Sequence, residues 1–520
     1  MYMKKLSKLV EKVLGFIEPD PSNWNQWVED KKLENVSQAD CMQQFVGEMT
    51  KAKDNNLKVI VAGDYDCDGI IATSIMVDGL RRFGIDCGFY IPNRIKEGYG
   101  LHPHTVDLAY KKEYSYIVTV DNGVKAKDAL ERAKELGMYT IVTDHHRIEK
   151  NVCCDILVHP TTLEDCFSTL CGAGIAYECV RALGVDTSYH LQLAAVASVG
   201  DVMHVTKETR ALIQKGLHEL NQSRDQHLMP LANDYYLNEE GLGFQIVPKL
   251  NAVGRMSNLA NVNNVVRYFL SEDDQEIVGL RQQLLEINDQ RKRISDQMSK
   301  LALSKCQIQN SILMVCDESF HEGIIGLVAG SLCGSFNKPS IVLAKNEKGY
   351  KASMRSPDGF DCMEFLKGFD YYSAIGGHTQ AAGFSINLQD YDAFECFVKT
   401  RIKEYSWEQK KKRTLIVSED ELGVEEIQSL DAIRPFGTGF EFPLFELKNP
   451  NIRSIFDIQK GKHRKITLQS GLQCMNFNQS LIDREKSVNQ IESFIGKPQI
   501  NEYKGRKSVT FVIESIVYKS

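Results

Sequence analysis

The chain has 520 residues, a formal net charge of −7, 43% hydrophobic residues and 25% charged residues. That length supports several domains with large cores, and the balance is ordinary for a globular protein. No apolar run reaches transmembrane length, and the charge excludes a uniformly basic surface without excluding a basic groove.

Met1 to Phe16 is Lys-rich and spaces Leu6, Leu9, Val10, Val13 and Leu14 as an amphipathic helix does. It lacks the continuous apolar core of a secretory signal, so the expectation is a helix packed on the first domain. Residues 1–56 read as a helical lead-in. Val59-Ile60-Val61-Ala62 then reads as a buried strand, followed by Gly63-Asp64-Tyr65-Asp66-Cys67-Asp68-Gly69 and a helix from Ile70 to Phe83 that ends at Gly84. Tyr116 to Val120 is a second strand, ending in Asp121-Asn122-Gly123, and Lys125 to Leu136 is a helix closed by Gly137. Tyr139 to Thr143 is a third strand, ending in Asp144-His145-His146. The apolar segment Leu193 to Val199 leads to Asp201 as a fourth cluster of this strand-end kind. Short β-branched strands, each followed by helix or loop, give residues 57–225 the rhythm of a parallel α/β sheet.

Residues 226–309 read as a connecting segment. In it Leu284, Leu285, Ile287, Ile294, Met298 and Leu301 give Leu280 to Lys305 the pattern of a long helix. A second α/β domain over residues 310–405 opens with the strand Ser311 to Cys316, a helix near Ile324 to Leu332 and the strand Ser340 to Leu343. Over residues 406–520 the short runs Ile452 to Ile458, Lys465 to Leu468, Leu472 to Phe477 and Ser508 to Ile513 suggest a small β-barrel. From residue 401 onward Lys and Arg number 20 against 16 Asp and Glu. The run Lys410-Lys411-Lys412-Arg413 reads as a solvated linker. None of the 14 cysteines forms a Cys-x-x-Cys pair, which fits core thiols in a reducing cytoplasm and disfavours a structural zinc site.

The chemistry lies in the strand ends. Carboxylates crowded at the carboxyl ends of strands in an α/β sheet resist joint ionisation unless a cation arrives. Alone, Asp121 is a helix N-cap, Asp201 a turn and the His-His pair a surface accident. Together they describe one crevice that binds divalent metal, and Asp with His suits Mn²⁺ or Mg²⁺.

These motifs resemble the DHH phosphoesterases. Leu250-Asn251-Ala252-Val253-Gly254-Arg255, Gly323-Ile324-Ile325-Gly326-Leu327-Val328-Ala329, Gly376-Gly377-His378-Thr379-Gln380-Ala381-Ala382-Gly383 and Pro435-Phe436-Gly437-Thr438-Gly439 narrow the resemblance to the RecJ single-strand DNA exonucleases. It runs from about residue 57 to the C-terminus. It implies two α/β domains, a DHH domain and a DHH-associated domain, joined by a long helix, plus a C-terminal OB-like β-barrel. It implies that Asp66, Asp68, Asp121, His145, His146 and Asp201 hold two divalent ions, with Asp64 and Asp144 orienting them, and that Asn251, Arg255, Arg355, Ser356, Gly376, Gly377 and His378 contact substrate. It further implies 5′→3′ hydrolysis of single-stranded DNA to 5′-mononucleotides, with a single-strand-binding protein or a helicase as partner and no membrane. In the barrel Phe456, Phe477, Tyr503 and Phe511 are candidates to stack bases beside Lys462, Arg464 and Lys465, with Phe511 the best candidate for the core.

Three departures stand out. Ala352-Ser353-Met354-Arg355-Ser356 replaces a Gly-Ser-Gly-Arg-Ser pattern and is expected to narrow the space for a phosphate. Ala62 stands where many relatives have His, and His159-Pro160 replaces Asn-Pro. Two other readings use the same motifs: a phosphodiesterase for short oligonucleotides or cyclic dinucleotides, and a replication or repair scaffold without catalysis.

Overall fold

The computed structural model describes residues 6–408, 413–459, 461–477, 490–503 and 505–519. It divides into two compact units, Lys32–Lys410 and, together, Met1–Lys31 with Lys411–Ser520.

The larger unit begins with a parallel sheet of β1 (Lys58–Ala62), β2 (Cys87–Tyr90), β3 (Tyr114–Val120), β4 (Tyr139–Thr143) and β5 (Ile156–Val158), in the order β2-β1-β3-β4-β5. Alternation along the strands supplies two cores. Val59, Val61, Val118 and Ile141 meet the helices Cys67–Phe83 and Gly172–Ala182, while Ile60, Ile117 and Val142 meet the helices Pro103–Lys111 and Lys127–Glu135. Burial on both faces accounts for the continuous apolar strands. In this order the chain reverses direction between β1 and β3, and the crevice outside their carboxyl ends is where doubly wound sheets bind ligands.

Asp66 caps the helix Cys67–Phe83, accepting from the Gly69 amide at 3.0 Å, and Gly84 ends it in the left-handed region. Asp121 is no cap: its φ is +58° and the following helix starts only at Lys127. The run from Leu193 to Val199, expected to end in a strand-end cluster, belongs to the helix Ser188–Gly200, and Asp201 is its C-cap. A run apolar on every side carries no period that separates a buried strand from a buried helix.

The 32-residue helix Asp274–Lys305, about 48 Å long at 1.5 Å per residue, leads to a second sheet. Its strands are β6 (Leu313–Asp317), β7 (Ser340–Asn346), β8 (Gly349–Arg355), β9 (Tyr372–His378) and β10 (Ala381–Asn387), in the order β6-β7-β8-β10-β9. Only β6 and β7 pair in parallel. Ile277, Leu284 and Met298 of the long helix share one core with both sheets.

The smaller unit is a seven-stranded mixed sheet of β11 (Thr414–Val417), β12 (Leu444–Lys448), β13 (Ile452–Ile458), β14 (His463–Leu468), β15 (Gln473–Asn476), β16 (Ile491–Tyr503) and β17 (Arg506–Tyr518), ordered β11-β12-β16-β17-β15-β14-β13. The N-terminal helix Lys8–Ile17 belongs here and not on the first α/β domain. Leu9, Val10, Val13 and Leu14 join Phe445, Phe494 and Phe511 in one core, Lys12 pairs with Glu421 at 2.7 Å, and Trp27 stacks on Phe440 at 4.1 Å. Amphipathic spacing says that a face is buried, not what buries it. Phe511 is core, whereas Phe456 and Phe477 are exposed. Arg464 forms two hydrogen bonds to Asp457. The side chain of Tyr503 and residues Lys410, Lys411 and Lys412 lie outside the described residues.

Leu14→Ala is expected to destabilise this smaller unit by about 2–5 kcal/mol, the usual cost of truncating a fully buried leucine. Calorimetry should show one transition moved down and the transition of the α/β unit unmoved.

Candidate metal centre and substrate groove

The carboxyl ends of β1, β3 and β4 and the end of the helix Ser188–Gly200 bring Asp64, Asp66, Asp68, Asp121, His145, His146 and Asp201 together. Three sets of potential ligand atoms each lie within 4.8 Å of one another: Asp121 with His145 and His146, Asp68 with His145 and Asp201, and Asp64 with Asp66 and Asp121. His145 Nε2 stands 3.1 Å from Asp121 Oδ1, 3.5 Å from Asp201 Oδ2 and 3.7 Å from Asp68 Oδ2. Asp64, expected to orient the ligands, belongs to one of these three sets.

Local backbone fixes these positions. Asp68 accepts from the Gly172 and Ala173 amides at 2.7 and 2.8 Å, at the positive end of the helix Gly172–Ala182. That helix end abuts Asp121, and a Cβ at Gly172 would fall 2.5 Å from Asp121 Cβ. Gly69 is equally confined, with 2.6 Å from an added Cβ to the Asp64 carbonyl oxygen. Asn122 ties the strand ends together: its amide donates to the carbonyls of Ala62 and Val120 and its oxygen accepts from Leu101 N. Asp144 accepts from the amides of Val124, His145 and His146 and lies 2.8 Å from His146 Nδ1. His146 therefore donates from Nδ1, which leaves the lone pair of the neutral ring on Nε2. His159, the residue in place of Asn, accepts from Thr161 N at Nδ1 and so donates from Nε2 to the His146 carbonyl at 3.0 Å.

The electrostatics call for cations. Burial, then the charges of Asp68 and Asp66, pushes the Asp201 carboxyl up to about 8. Burial and neighbouring aspartates also raise Asp64, Asp66 and Asp121, and burial lowers His145. For Asp144 burial is the largest effect, but the bond and charge of His146 together with the amides of Val124 and His146 outweigh it and hold the carboxyl below the usual range. Among the described residues Asp64 Oδ1, Asp121 Oδ1 and His145 Nε2 are buried with no hydrogen-bond partner. Each orphaned group costs about 1–3 kcal/mol. Carboxylate oxygens and imidazole nitrogens left in this way fit divalent cations such as Mn²⁺ or Mg²⁺, and no thiol is needed.

Next to this cage an open groove of about 990 Å³ separates the two sheets, lined by Tyr65, Arg94, Arg255, Lys351, Ser353, Arg355 and Gly376 among others. Burial, then Arg94 and Arg355, presses the Arg255 guanidinium down to about 10. Like charges held this closely suit an anion with several oxygens. Arg94 lies over the Tyr65 ring, 4.9 Å from its centroid.

Of the residues expected at substrate, Arg255, Arg355 and Gly376 line this groove. Asn251 instead accepts from Cys67 N at 2.9 Å and steadies the loop that carries Asp66 and Asp68. The Ser356 hydroxyl points inward and donates to the Phe360 carbonyl at 2.8 Å. Gly377 and His378 end the exposed strand β9. Met354, expected to narrow the phosphate space, faces the core with Ala352, while Ser353 and Arg355 alternate to the groove. Sequence reasoning did not find Arg94 or Tyr99, whose hydroxyl donates to the Asp121 carbonyl at 2.9 Å. Their signal was a strand end like the others, hidden because β2 is short and contains a glycine.

Three family models match the chain: the DHH family N-terminal domain over residues 58–200, the DHHA1 domain over 308–404 and the RecJ OB domain over 415–515. The single-stranded-DNA-specific exonuclease RecJ of Bacillus subtilis is 30% identical over 91% of this chain, which spans 63% of that protein. Its namesake in Haemophilus influenzae is 27% identical over 94% of this chain and 92% of its own. The crystal structure of RecJ with Mn²⁺ from Thermus thermophilus superposes with a TM-score of 0.85 at 22% identity, covering 99% of this chain and 76% of that one. A structure of exonuclease RecJ bound to manganese gives 0.63 at 27% identity, covering 72% and 97%.

A raised carboxyl pKa means that the folded protein binds the proton more tightly than the unfolded chain. Stability is then fullest below the ordinary carboxylate value near 4 and falls as pH rises toward 8. The metal-free protein should accordingly melt at lower temperature at pH 8 than at pH 5, and Asp201→Asn should flatten that dependence. Mn²⁺ should raise the midpoint more at pH 8 than at pH 5. A metal-free midpoint that climbs with pH would contradict the assignment.

Proposed function

This chain belongs to the DHH family and carries the domain set of RecJ, and from that premise we propose that it is a metal-dependent exonuclease degrading single-stranded DNA 5′→3′ to 5′-mononucleotides. The observation that carries the reading is a cage of mutually repelling carboxylates with orphaned ligand atoms, set beside a groove of mutually repelling guanidiniums.

Asp66, Asp68, Asp121, His145, His146 and Asp201 would hold two Mn²⁺ or Mg²⁺ ions, with Asp64 also within reach. Bound there, such ions supply an activated water and stabilise charge on the attacking and leaving oxygens of a phosphodiester. Asp144 orients His146 and fixes which ring nitrogen carries its proton, and His159 steadies the same loop from its carbonyl side. Arg94, Arg255 and Arg355 take the phosphate oxygens, Ser353 bracing Arg355 at 2.9 Å. Tyr65 sits between the cage and the groove and walls the terminal nucleotide.

The smaller unit adds a second contact for the strand through exposed Phe456 and Phe477, with Lys465 directly across from Phe456 in the sheet. A single-strand-binding protein or a helicase is the class of partner that would present such substrate. The 14 unpaired thiols suit work in a reducing cytoplasm, and no described helix is long and apolar enough to cross a membrane.

The test uses 3′-labelled single-stranded DNA with Mn²⁺, with and without chelator. Progressive shortening from the unlabelled end is expected, lost on chelation. Asp66→Ala and His146→Ala should bring cleavage below detection while the protein still melts cooperatively. Undiminished cleavage in either variant removes that residue from the site, and an intact ladder in the wild type removes the reading.

A further inference from the structure

Of the five large apolar side chains most exposed among the described residues, three lie close together in the chain, Tyr235 and Phe244 at 81% and Tyr236 at 74%, and a fourth, Val202 at 70%, directly follows Asp201 of the metal cage. Such exposure in aromatic residues marks an interaction surface when it is concentrated and built. Here it is built. Val202 directly follows Asp201 and holds φ +55°, an unusual conformation for a β-branched residue, with its side chain turned to solvent. Phe244 stands on the π-turn Leu242–Ile246, which packs on the helix that ends at Asp201. π-turns inside helices recur at functional sites. Gln245 stitches the tyrosine loop to this turn, accepting from the amides of Asn233 and Asp234 at 2.8 and 3.3 Å. The Arg224 guanidinium lies 3.4 Å from the Tyr235 ring centroid and adds positive charge to the same surface.

We propose that Tyr235, Tyr236 and Phe244 form a stacking ledge in the α/β unit for bases of the single strand, beside the metal cage and additional to any contact made by the OB domain. The inference rests on the nuclease reading above and names where that substrate extends. Exposed rings with an adjacent guanidinium match what a flexible polyanion with flat bases requires, because every base offers a π-face and every link a phosphate. The turn that carries Phe244 packs on the helix whose C-cap is Asp201 of the cage. The helix Val247–Arg255 begins just after Phe244 and ends at Arg255, placing ledge and phosphate groove about 16 Å apart at 1.5 Å per residue. A strand of several nucleotides reaches both, and a dinucleotide reaches only the groove.

That difference supplies the test. Phe244→Ala and the double variant Tyr235→Ala with Tyr236→Ala should melt as the wild type does, because the side chains are exposed. With a 5′-phosphorylated 12-nucleotide strand their KM should rise roughly tenfold or more, in keeping with the loss of a stacked base, while kcat holds. KM for a dinucleotide should not move, and Phe244→Trp should behave as wild type. A 12-nucleotide KM unchanged in both variants, or an equal loss on the dinucleotide, overturns the proposal. Binding of a 12-nucleotide strand carrying 2-aminopurine reads the ledge independently of hydrolysis: the wild type should quench it and the variants should quench it less. Equal quenching overturns the ledge, whereas absent hydrolysis with intact ledge-dependent quenching sinks only the nuclease reading.

Discussion

Five aspartates crowd one crevice with two imidazoles, and the repulsion among the carboxylates is the constraint from which the rest follows. A single buried carboxylate can find amide donors, as Asp144 does three times over. Several cannot all do so in one crevice. Asp64, Asp121 and His145 keep atoms without a hydrogen-bond partner, and burial, then the charges of Asp68 and Asp66, pushes the Asp201 carboxyl up to about 8. A protein free to relax would swing such groups apart. This one holds them in place with its backbone, which makes sense only where a cation repays the cost.

The means of holding them are ordinary. Asp68 sits at the amide end of one helix, where the dipole welcomes it, and Asp201 sits at the carbonyl end of another, where the dipole opposes it. One carboxylate of the cage is thus anchored by the fold and its neighbour is frustrated by it. Asn122 locks the ends of β1 and β3 at the switch point, and the absence of a side chain at Gly172 lets a helix end close against Asp121. The sheet order β2-β1-β3-β4-β5 makes these contacts possible by opening the crevice between the two strands that carry the acids.

Much of this was legible in the amino-acid sequence, and for a physical reason. Parallel strands buried on both faces write themselves as short β-branched runs, so β1, β3 and β4 and the acids behind them could be read directly. The same signal fails where burial is complete but the element is a helix, as at Leu193 to Val199, and where a strand is brief, as at β2, which left Arg94 unseen. Asp66 and Asp121 show the opposite lesson. Taken alone, Asp121 reads as a helix N-cap, yet Asp66 is the one that caps a helix and Asp121 has a left-handed backbone with no helix directly after it. The partner of the N-terminal helix was equally unreadable, since spacing fixes which face is buried and says nothing of the sheet, distant in sequence, that covers it.

The cage and the groove are two like-charge clusters of opposite sign, and they are electrically linked. Asp66 supports the charge on Arg255 while Arg94 and Arg355 oppose it. Cations entering the cage would neutralise Asp66 and its neighbours, so Arg255 would lose a negative charge that supports it and would gain affinity for an anion. By reciprocity, a phosphate in the groove must tighten the hold on the cations by the same factor. Neither cluster is at ease alone: the acids repel one another, and so do the arginines. The two charge clusters are balanced together when a cation fills one and an anion the other, the state that the proposed hydrolysis would require.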